Sequence, residues 1–126
     1  MRKLLLALGL TLAPVAALAD DMSGTWTINA AFESMGVTFT TTCTFKQDAA
    51  GNLAGPCKGT ADEQTPASGA LRTGMSGKPE VDFGYDTNYE GTPVHLEYVG
   101  LPQADGSLTG TISAHGAQGT FTATRK

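Results

Sequence analysis

Two residues of one predicted hairpin, Asp86 and His95, have side chains suited to acid–base chemistry. They lie at equal distances from the pair Glu90-Gly91, which suits a two-residue turn because glycine accepts a positive φ. Such a turn sets the carboxylate opposite the imidazole, where the two could act as base and acid. Ser113 and the threonines are scattered without a nucleophile elbow. We therefore interpret the pair as an exposed cross-strand ion pair and predict a protein that is not an enzyme; a hydrolase or isomerase is the remaining alternative.

Four acidic residues of the same hairpin could join His95 in binding a divalent cation, because carboxylates and imidazole are suitable metal ligands. Their spacing matches neither an EF-hand nor a zinc site. We interpret them as a solvated acidic face, and we predict neither a metal site nor a cofactor. The four residues are Asp82, Asp86, Glu90 and Glu97.

Aromatic side chains offer a different candidate, a small-molecule site. Phe32 and Tyr89 lie beside the predicted turns at Met35-Gly36 and Glu90-Gly91, at one end of the fold. An aromatic mouth with phenol hydroxyls could bind a small apolar or amphipathic ligand. The same residues could instead fill the interior. Glycines at inward-facing positions favour this alternative, because they indicate a narrow interior. The candidate ligand-binding residues are Phe32, Phe39, Tyr85, Tyr89 and Tyr98, and the glycines are Gly55, Gly59 and Gly110.

The beginning of the chain has the pattern of a secretory signal peptide over residues 1–19. Arg2 and Lys3 form a basic region, LLLALGLTL is apolar, and Ala17-Leu18-Ala19 suits cleavage. The remaining 107 of the 126 residues, 20–126, suit a single domain. The residue directly after the cleavage site is Asp20 and not the cysteine that a lipid anchor would need. We expect a bacterial protein that is periplasmic or secreted, with no membrane anchor after cleavage.

The net charge of the mature chain limits the classes of partner that it can bind. Loss of Arg2 and Lys3 leaves six basic residues against twelve acidic ones, a net charge of −6. Nucleic acids and anionic membrane surfaces are bound by clusters of Lys and Arg. We therefore expect no nucleic-acid partner.

The two cysteines, Cys43 and Cys57, predict one disulfide, because an exported protein folds in an oxidising compartment. A CxxC redox pair and a metal thiolate site are the rival interpretations, and the spacing fits neither. An odd-length loop in QDAAG, centred on Ala50, would place the two residues directly opposite each other on a hairpin.

Apolar residues of the mature chain alternate with polar ones at period two, which predicts β-strands. A two-residue loop at Met35-Gly36 would set Phe32 opposite Phe39, and one near Gly116-Ala117 would pair Ile112 with Phe121. The loop at Glu90-Gly91 sets Tyr85 opposite Leu96. Pro56 lacks a backbone donor, so the pairing beside the third strand is expected to break there.

The stretch QDAAGNLAG, residues 47–55, is matched 55 residues later by PQADGSLTG, residues 102–110, with Gly51 matching Gly106 and Cys57 matching Ile112. We interpret the chain as two four-stranded halves, with the fourth strand around Gly69 to Arg72. Eight antiparallel strands with short loops most simply close into an up-and-down β-barrel. The predicted fold is therefore all-β, one eight-stranded barrel with one disulfide-bridged hairpin.

The two ends of the chain, SGTW at residues 23–26 and FTATR at residues 121–125, resemble the signatures of calycin barrels. Lipocalins and avidin-like proteins have G-x-W on the first strand and an arginine on the last that packs over the tryptophan; Gly24, Trp26 and Arg125 match. The resemblance implies a cation–π contact between Trp26 and Arg125. Biotin-binding members line their pocket with several tryptophans, whereas this chain has one, so biotin is not expected.

Two further resemblances bear on function. The whole chain resembles uncharacterised small exported bacterial proteins with a GTW start and a TC…C hairpin, which bring no function with them. Periplasmic protease-inhibitor barrels also combine a signal peptide, S-G-x-W and one disulfide. We expect a non-catalytic, lipocalin-like barrel that binds a small apolar or amphipathic ligand. The alternative is a filled barrel that inhibits or chaperones an envelope protein.

Overall fold

The computed structural model describes residues 21–59 and 64–126, and it is built almost wholly of β-strands. The predicted signal peptide, residues 1–19, lies outside the described residues. No helix in the described part of the chain has the length and apolar character that a membrane crossing would need. The strands are β1 (Gly24–Phe32), β2 (Val37–Gln47), β3 (Asn52–Lys58), β4 (Gln64–Thr73), β5 (Pro79–Tyr89), β6 (Thr92–Pro102), β7 (Leu108–Ala114) and β8 (Ala117–Arg125).

The eight strands form one closed antiparallel barrel in which each strand pairs with the next and β1 pairs with β8. The predicted all-β, up-and-down barrel is therefore confirmed. Closure follows from the alternation in the sequence, because the apolar stripe of every strand faces a shared interior. The fourth strand, expected around Gly69 to Arg72, is longer than expected and spans Gln64–Thr73.

The two halves have the same backbone plan. A shift of 55 residues places β2, Val37–Gln47, directly on β6, Thr92–Pro102. The turn after each of these strands has the same backbone hydrogen bond: Gly51 N donates to the Asp48 carbonyl and Gly106 N to the Gln103 carbonyl, both at 3.0 Å. Both glycines have φ of 91°. The repeated stretch thus encodes one hairpin geometry twice.

Two of the predicted hairpin registers are confirmed. Tyr85 lies opposite Leu96 on β5 and β6, and Cys43 opposite Cys57 on β2 and β3. Tyr98 and Ile112, the positions that match Cys43 and Cys57 after the 55-residue shift, also lie opposite each other on β6 and β7. The β2–β3 pairing breaks opposite Gly55 and Pro56, as the missing proline donor predicts. Gly55 permits a close approach there, since a Cβ on it would lie 1.7 Å from the Thr44 carbonyl oxygen.

Two predicted registers are wrong by two residues. Phe32 pairs with Val37 and not with Phe39, because the loop has four residues: a 3₁₀ turn over Glu33–Met35 and then Gly36 at φ 67°. Ile112 pairs with Gly119, because the β7–β8 turn is formed by His115 and Gly116, with φ of 46° and 81°. A type I′ turn needs positive φ at both central residues, which alanine resists more than histidine. An even slip keeps every side chain on its predicted face.

One end of the barrel is closed by the residues of the calycin-like signature. The Arg125 guanidinium carbon lies 4.5 Å from the centre of the Trp26 ring, so the predicted contact is present. Arg125 also donates to the backbone carbonyls of Ser23 and, at 2.9 Å, Asp21. The Trp26 indole nitrogen donates to the Met22 carbonyl at 3.0 Å. The segment 21–23 is thereby held across this end of the barrel.

Large side chains fill the interior next to that end. Phe83 stacks on Tyr98 with ring centres 4.6 Å apart, and Phe121 meets Tyr98 edge-on at 5.2 Å. Phe45 meets Phe83 edge-on at 5.0 Å. These rings are buried together with Trp26. The filled interior that the glycines favoured is thus present in this half of the barrel.

The disulfide generates a prediction on stability. Cys43 and Cys57 are bonded and buried, and they close a loop with a sequence separation of 14. Replacing both with alanine should lower the free energy of unfolding by roughly 3 kcal/mol, because the unfolded chain regains the entropy of the open loop. Urea unfolding followed by circular dichroism measures this change. Reductant should destabilise the wild type and leave the double variant unaffected; equal stability of wild type and variant would contradict the prediction.

The clamp at the closed end generates a second prediction. Arg125→Ala removes the cation–π contact and two hydrogen bonds to backbone carbonyls, and should cost roughly 2 kcal/mol of the free energy of unfolding. Lys126→Ala is the matched control, since it removes the same charge and leaves the backbone bond from Lys126 N to the Thr25 carbonyl. Thermal unfolding should shift for Arg125→Ala alone. Equal shifts in the two variants would show that charge, and not the clamp, is responsible.

Candidate functional site

The half of the barrel opposite the clamp contains a cavity of about 610 Å³. It opens at the end where the β1–β2, β5–β6 and β7–β8 turns lie, since its lining includes Met35, Tyr89 and His115. Along each strand the lining residues become more buried with depth: on β6, Val94 is half-buried, Leu96 is buried, and Tyr98 is inaccessible beneath them. The interior is therefore filled at one end and hollow at the other.

The strand pairing around the cavity is incomplete beside the β3–β4 hairpin. β4 pairs with β5 from Ser68 onwards, so residues 64–67 of β4 are not paired with β5. β3 and β4 remain paired with each other as far as Lys58 and Gln64. β3 also stays paired with β2 up to Lys58, the last residue of the strand, so β4 leaves β5 while β3 follows β2 to its end.

Pro66 lies in the stretch of β4 that leaves β5, and it has no backbone N–H to donate to a neighbouring strand. Proline is confined to strand edges for this reason. If the β4–β5 register continued past Ser68, Ala67 would oppose Tyr85 and Pro66 would oppose Asp86, but neither pair forms. Pro56 lies opposite Pro66 on β3, and pairing of β3 with β2 resumes beyond it at Cys57. Gly59 and Thr65, near the tip of the hairpin, line the cavity.

Four of the five predicted ligand-binding residues line the cavity. Phe32 and Phe39 stack with ring centres 6.4 Å apart, Tyr85 lies deep, and Tyr89 is 45% exposed at the mouth. Tyr98 does not line it, because its ring is packed between Phe83 and Phe121. The structure therefore brings the first four residues together and places Tyr98 beneath them.

A chain of hydroxyl groups lies at the bottom of the cavity. The Tyr98 and Tyr85 phenol oxygens are 2.7 Å apart, and Tyr85 donates to Thr41 Oγ1 at 3.3 Å. Burial raises the pKa of both phenols, which therefore stay protonated. Thr41 is 4% exposed and lines the cavity. It was not predicted as a site residue, although its place in the inward phase of β2, between Phe39 and Cys43, was the available signal.

The lining has almost no charge. None of the described residues that line the cavity is Lys, Arg, Asp or Glu, and His115 at the rim is the one histidine among them. The walls are formed by apolar side chains, with threonine and asparagine among the other lining residues. The apolar wall residues include Val37, Phe39, Val94, Leu96, Ala114 and Ala117. Such a surface can remove an apolar molecule from water and offers hydrogen bonds at the bottom and rim.

The predicted acid–base pair lies on the outer face of the barrel. His95 Nδ1 is 2.7 Å from an Asp86 carboxylate oxygen, and Nε2 is 2.7 Å from one of Glu97. The hydrogen bond with Asp86, and then that with Glu97, raises the pKa of the imidazole. Both ring nitrogens are therefore occupied. Ser113 is opposite Glu97, but among the described residues no hydrogen bond joins it to His95.

The other acidic residues of the hairpin do not converge on His95. Asp82 forms an ion pair with Arg72, which also approaches Glu80 at 3.8 Å. Glu90 is in the turn, with φ of 51°. Within residues 21–59 and 64–126 no group of three His, Cys, Asp or Glu side chains is arranged to hold a metal ion. Of the predicted acidic face, Asp82 thus belongs to one ion-paired cluster and Asp86 and Glu97 to another, while Glu90 lies apart in the turn.

Comparison with known proteins finds no protein-family model, no curated protein and no solved structure that matches this chain.

The His95 cluster generates a prediction on pH. Because the pKa of His95 is raised in the folded protein, its contribution to stability is present below the ordinary pKa of about 6.5 and is lost as the pH rises through the folded-state value. The free energy of unfolding of wild type minus that of His95→Gln should be positive near about pH 5.5 and should shrink by about pH 8.5. The difference should stay below about 1 kcal/mol, since the cluster is exposed.

The control for this measurement is His115→Gln. The His115 ring faces the Pro93 carbonyl at 3.4 Å and not a carboxylate, so the variant leaves the His95 cluster intact. It should show the same pH trend as wild type. A difference between wild type and His95→Gln that grew with pH would contradict the assignment.

Proposed function

We propose that this protein is an exported, non-catalytic, lipocalin-like barrel that binds a small apolar or amphipathic molecule in its cavity. The observation that carries the proposal is the cavity of about 610 Å³ inside a closed barrel, lined by Phe32, Phe39, Tyr85 and Tyr89. Small-molecule sites in proteins occupy about 300–1,000 Å³, are largely apolar and hold a few placed polar groups. The cavity has all three properties.

The filled half of the barrel supports this role, because it gives the cavity a rigid base. The stacked rings of Phe83 and Tyr98 and the clamp of Arg125 on Trp26 fix the strands from which the cavity walls rise. A ligand then meets a preformed surface and orders few side chains on binding, which lowers the free-energy cost of association. The opening at the end where the β1–β2, β5–β6 and β7–β8 turns lie provides entry.

The surroundings of His95, the acid–base candidate from the sequence, favour a carrier over an enzyme. His95 has carboxylates on both ring nitrogens and faces outward, away from the cavity. Its neighbours offer no nucleophile that it contacts. The chemistry of the cavity itself consists of hydroxyl groups whose pKa values are raised, which suits binding more than proton transfer.

The calycin-like arrangement and the disulfide support the remaining parts of the proposal. An eight-stranded barrel with Gly24, Trp26 and Arg125 at its closed end is compatible with a calycin-like fold. A buried disulfide is typical of proteins that fold in the periplasm or outside the cell. Both fit a lipocalin-type carrier exported by a signal peptide.

The test is a binding measurement with a matched pair of variants on β6. Val94 points into the cavity, whereas Val99 points outward from the same strand. The purified protein should bind the apolar dye N-phenyl-1-naphthylamine in isothermal titration calorimetry. Val94→Trp should weaken binding at least about tenfold by filling the cavity, and Val99→Trp should leave the affinity unchanged.

Two outcomes would count against the proposal. Equal loss in both variants would place the dye on the outer surface, and absence of binding by wild type would mean that the cavity takes no apolar molecule of this size. Either result would favour the alternative of a barrel that acts through a protein partner.

A further inference from the structure

The bottom of the cavity does not require a polar group from a ligand. The phenol oxygens of Tyr85 and Tyr98 are 2.7 Å apart, and Thr41 is a hydrogen-bond partner of both phenols. The three hydroxyl groups can satisfy one another in a ring, with Tyr85 donating to Thr41, Thr41 to Tyr98 and Tyr98 to Tyr85. An apolar end of a ligand can therefore lie against them without leaving a hydroxyl hydrogen unpaired.

The walls of the cavity keep a charged group out of the interior. None of the described lining residues is Lys, Arg, Asp or Glu. A charged group between these walls would lose its hydration without gaining a partner of opposite charge, which costs free energy. A charged amphipathic ligand therefore enters with its apolar end first and keeps its head group at the mouth, in contact with water. The residues around the mouth then determine which head group is favoured.

Two turns at the mouth each carry a carboxylate. Glu33 lies in the β1–β2 turn and Glu90 in the β5–β6 turn, and both are exposed. Each is close in sequence to a residue that lines the cavity, Met35 in the first turn and Tyr89 beside the second. Neither carboxylate forms an ion pair with another of the described residues. Their negative charges are therefore not neutralised by a neighbouring side chain.

The basic residues are concentrated at the opposite end of the barrel. Five of the six that follow residues 1–19 lie towards the clamp, and Lys58, the last residue of β3, is the exception. Among the described residues, five acidic ones lie in the same half as those five, so the charges there balance. The mouth has an excess of negative charge, and a field of this sign attracts cations. The basic residues towards the clamp are Lys46, Arg72, Lys78, Arg125 and Lys126, and the acidic ones are Asp21, Asp48, Glu80, Asp82 and Asp105.

We propose, on the basis of the ligand-binding function above, that the cavity takes a cationic amphiphile, a molecule with an apolar body and an ammonium group. The apolar body lies against Phe39, Val94 and Leu96. The ammonium group stays at the mouth, where the carboxylates of Glu33 and Glu90 attract it. The ring of Tyr89, 45% exposed at the mouth, offers the same group a cation–π contact.

The first test compares two ligands of opposite charge on the wild-type protein. Decyltrimethylammonium and decanoate are titrated against bound N-phenyl-1-naphthylamine near about pH 7.5, where decanoate is ionised. The cation should displace the dye with an affinity at least about tenfold higher than that of the anion. Raising NaCl from about 20 mM to about 500 mM should reduce this ratio at least about twofold, since salt screens exposed charges. Equal affinities, a preference for decanoate, or a ratio that salt does not change would overturn the proposal.

The second test removes the two charges at the mouth. A double variant, Glu33→Gln with Glu90→Gln, keeps the size of both side chains and loses both carboxylates. It should weaken decyltrimethylammonium roughly threefold to tenfold and strengthen decanoate, because the attraction and the repulsion both disappear. The uncharged probe decan-1-ol should bind within about twofold of wild type, since it does not respond to the lost charge.

The matched control removes the same charge from the other end of β5. Glu80→Gln with Asp82→Asn changes two residues near the start of the strand, roughly 25 Å from Glu90 along it. This distance exceeds the Debye length of about 10 Å in about 0.1 M salt, so all three affinities should stay within about twofold. Unchanged binding of the cation by the mouth variant, or equal weakening by both variants, would overturn the proposal. A loss that includes decan-1-ol would mean that the cavity is damaged, and the salt dependence of the wild type then decides.

The two proposals fail in different ways. If the dye binds and Val94→Trp blocks it, but decyltrimethylammonium is not preferred over decanoate, the cationic ligand class is wrong while the binding function stands. If neither the dye nor any of the decyl compounds binds wild type, both proposals are wrong.

Discussion

The pairing of β1 with β8 is the constraint on which the rest of the structure depends. Six register pairs join the two strands, from Trp26 opposite Arg125 to Ala31 opposite Thr120. Without them the sheet would have two open edges and no enclosed volume. With them, the strand number fixes the width of the barrel, and eight strands leave an interior that side chains can just fill. Whether any space remains then depends on which residues point inward at each level.

The inward residues are packed differently at the two ends. Near the clamp the interior receives Trp26, Phe45, Phe83, Tyr98 and Phe121, and their rings leave no room. Towards the other end the inward aromatic rings are interspersed with small side chains such as Val94, Ala114 and Ala117, and β4 leaves β5 beyond Ser68. The cavity lies at the level of the barrel where these two features meet. The hydroxyl chain of Tyr98, Tyr85 and Thr41 lies at the boundary between the filled and the hollow half.

Much of the fold could be predicted from the sequence because alternation determines faces, and faces survive errors in turn geometry. The turn at Glu90-Gly91 identified its register correctly, since a residue followed by glycine fits both positive-φ positions. The loop at Gly36 was displaced because an X-Gly pair does not distinguish a two-residue turn from a longer one. The β7–β8 turn was displaced because Gly116 is its second central residue, whereas a loop at Gly116-Ala117 would make it the first. The hollow half was harder to foresee. It depends in part on where β4 stops pairing with β5, at Ser68, and the pattern around Gly69 to Arg72 predicted only part of this strand.

The 55-residue repeat shows which side-chain features the barrel needs in order to form, because the two halves share a backbone plan and differ in side chains. The three residues of the hydroxyl chain come from both halves, Thr41 from the first and Tyr85 and Tyr98 from the second. Each corresponds, 55 residues away, to a residue without a hydroxyl: Thr41 to Leu96, Tyr85 to Ala30 and Tyr98 to Cys43. The backbone plan is the same in both halves, so apolar side chains at these positions are sufficient for the barrel to form. Polar groups inside a protein cost free energy unless they are hydrogen-bonded, and even then they contribute less than apolar packing. Their concentration at one level of the barrel is therefore not explained by its folding, and it coincides with the bottom of the cavity.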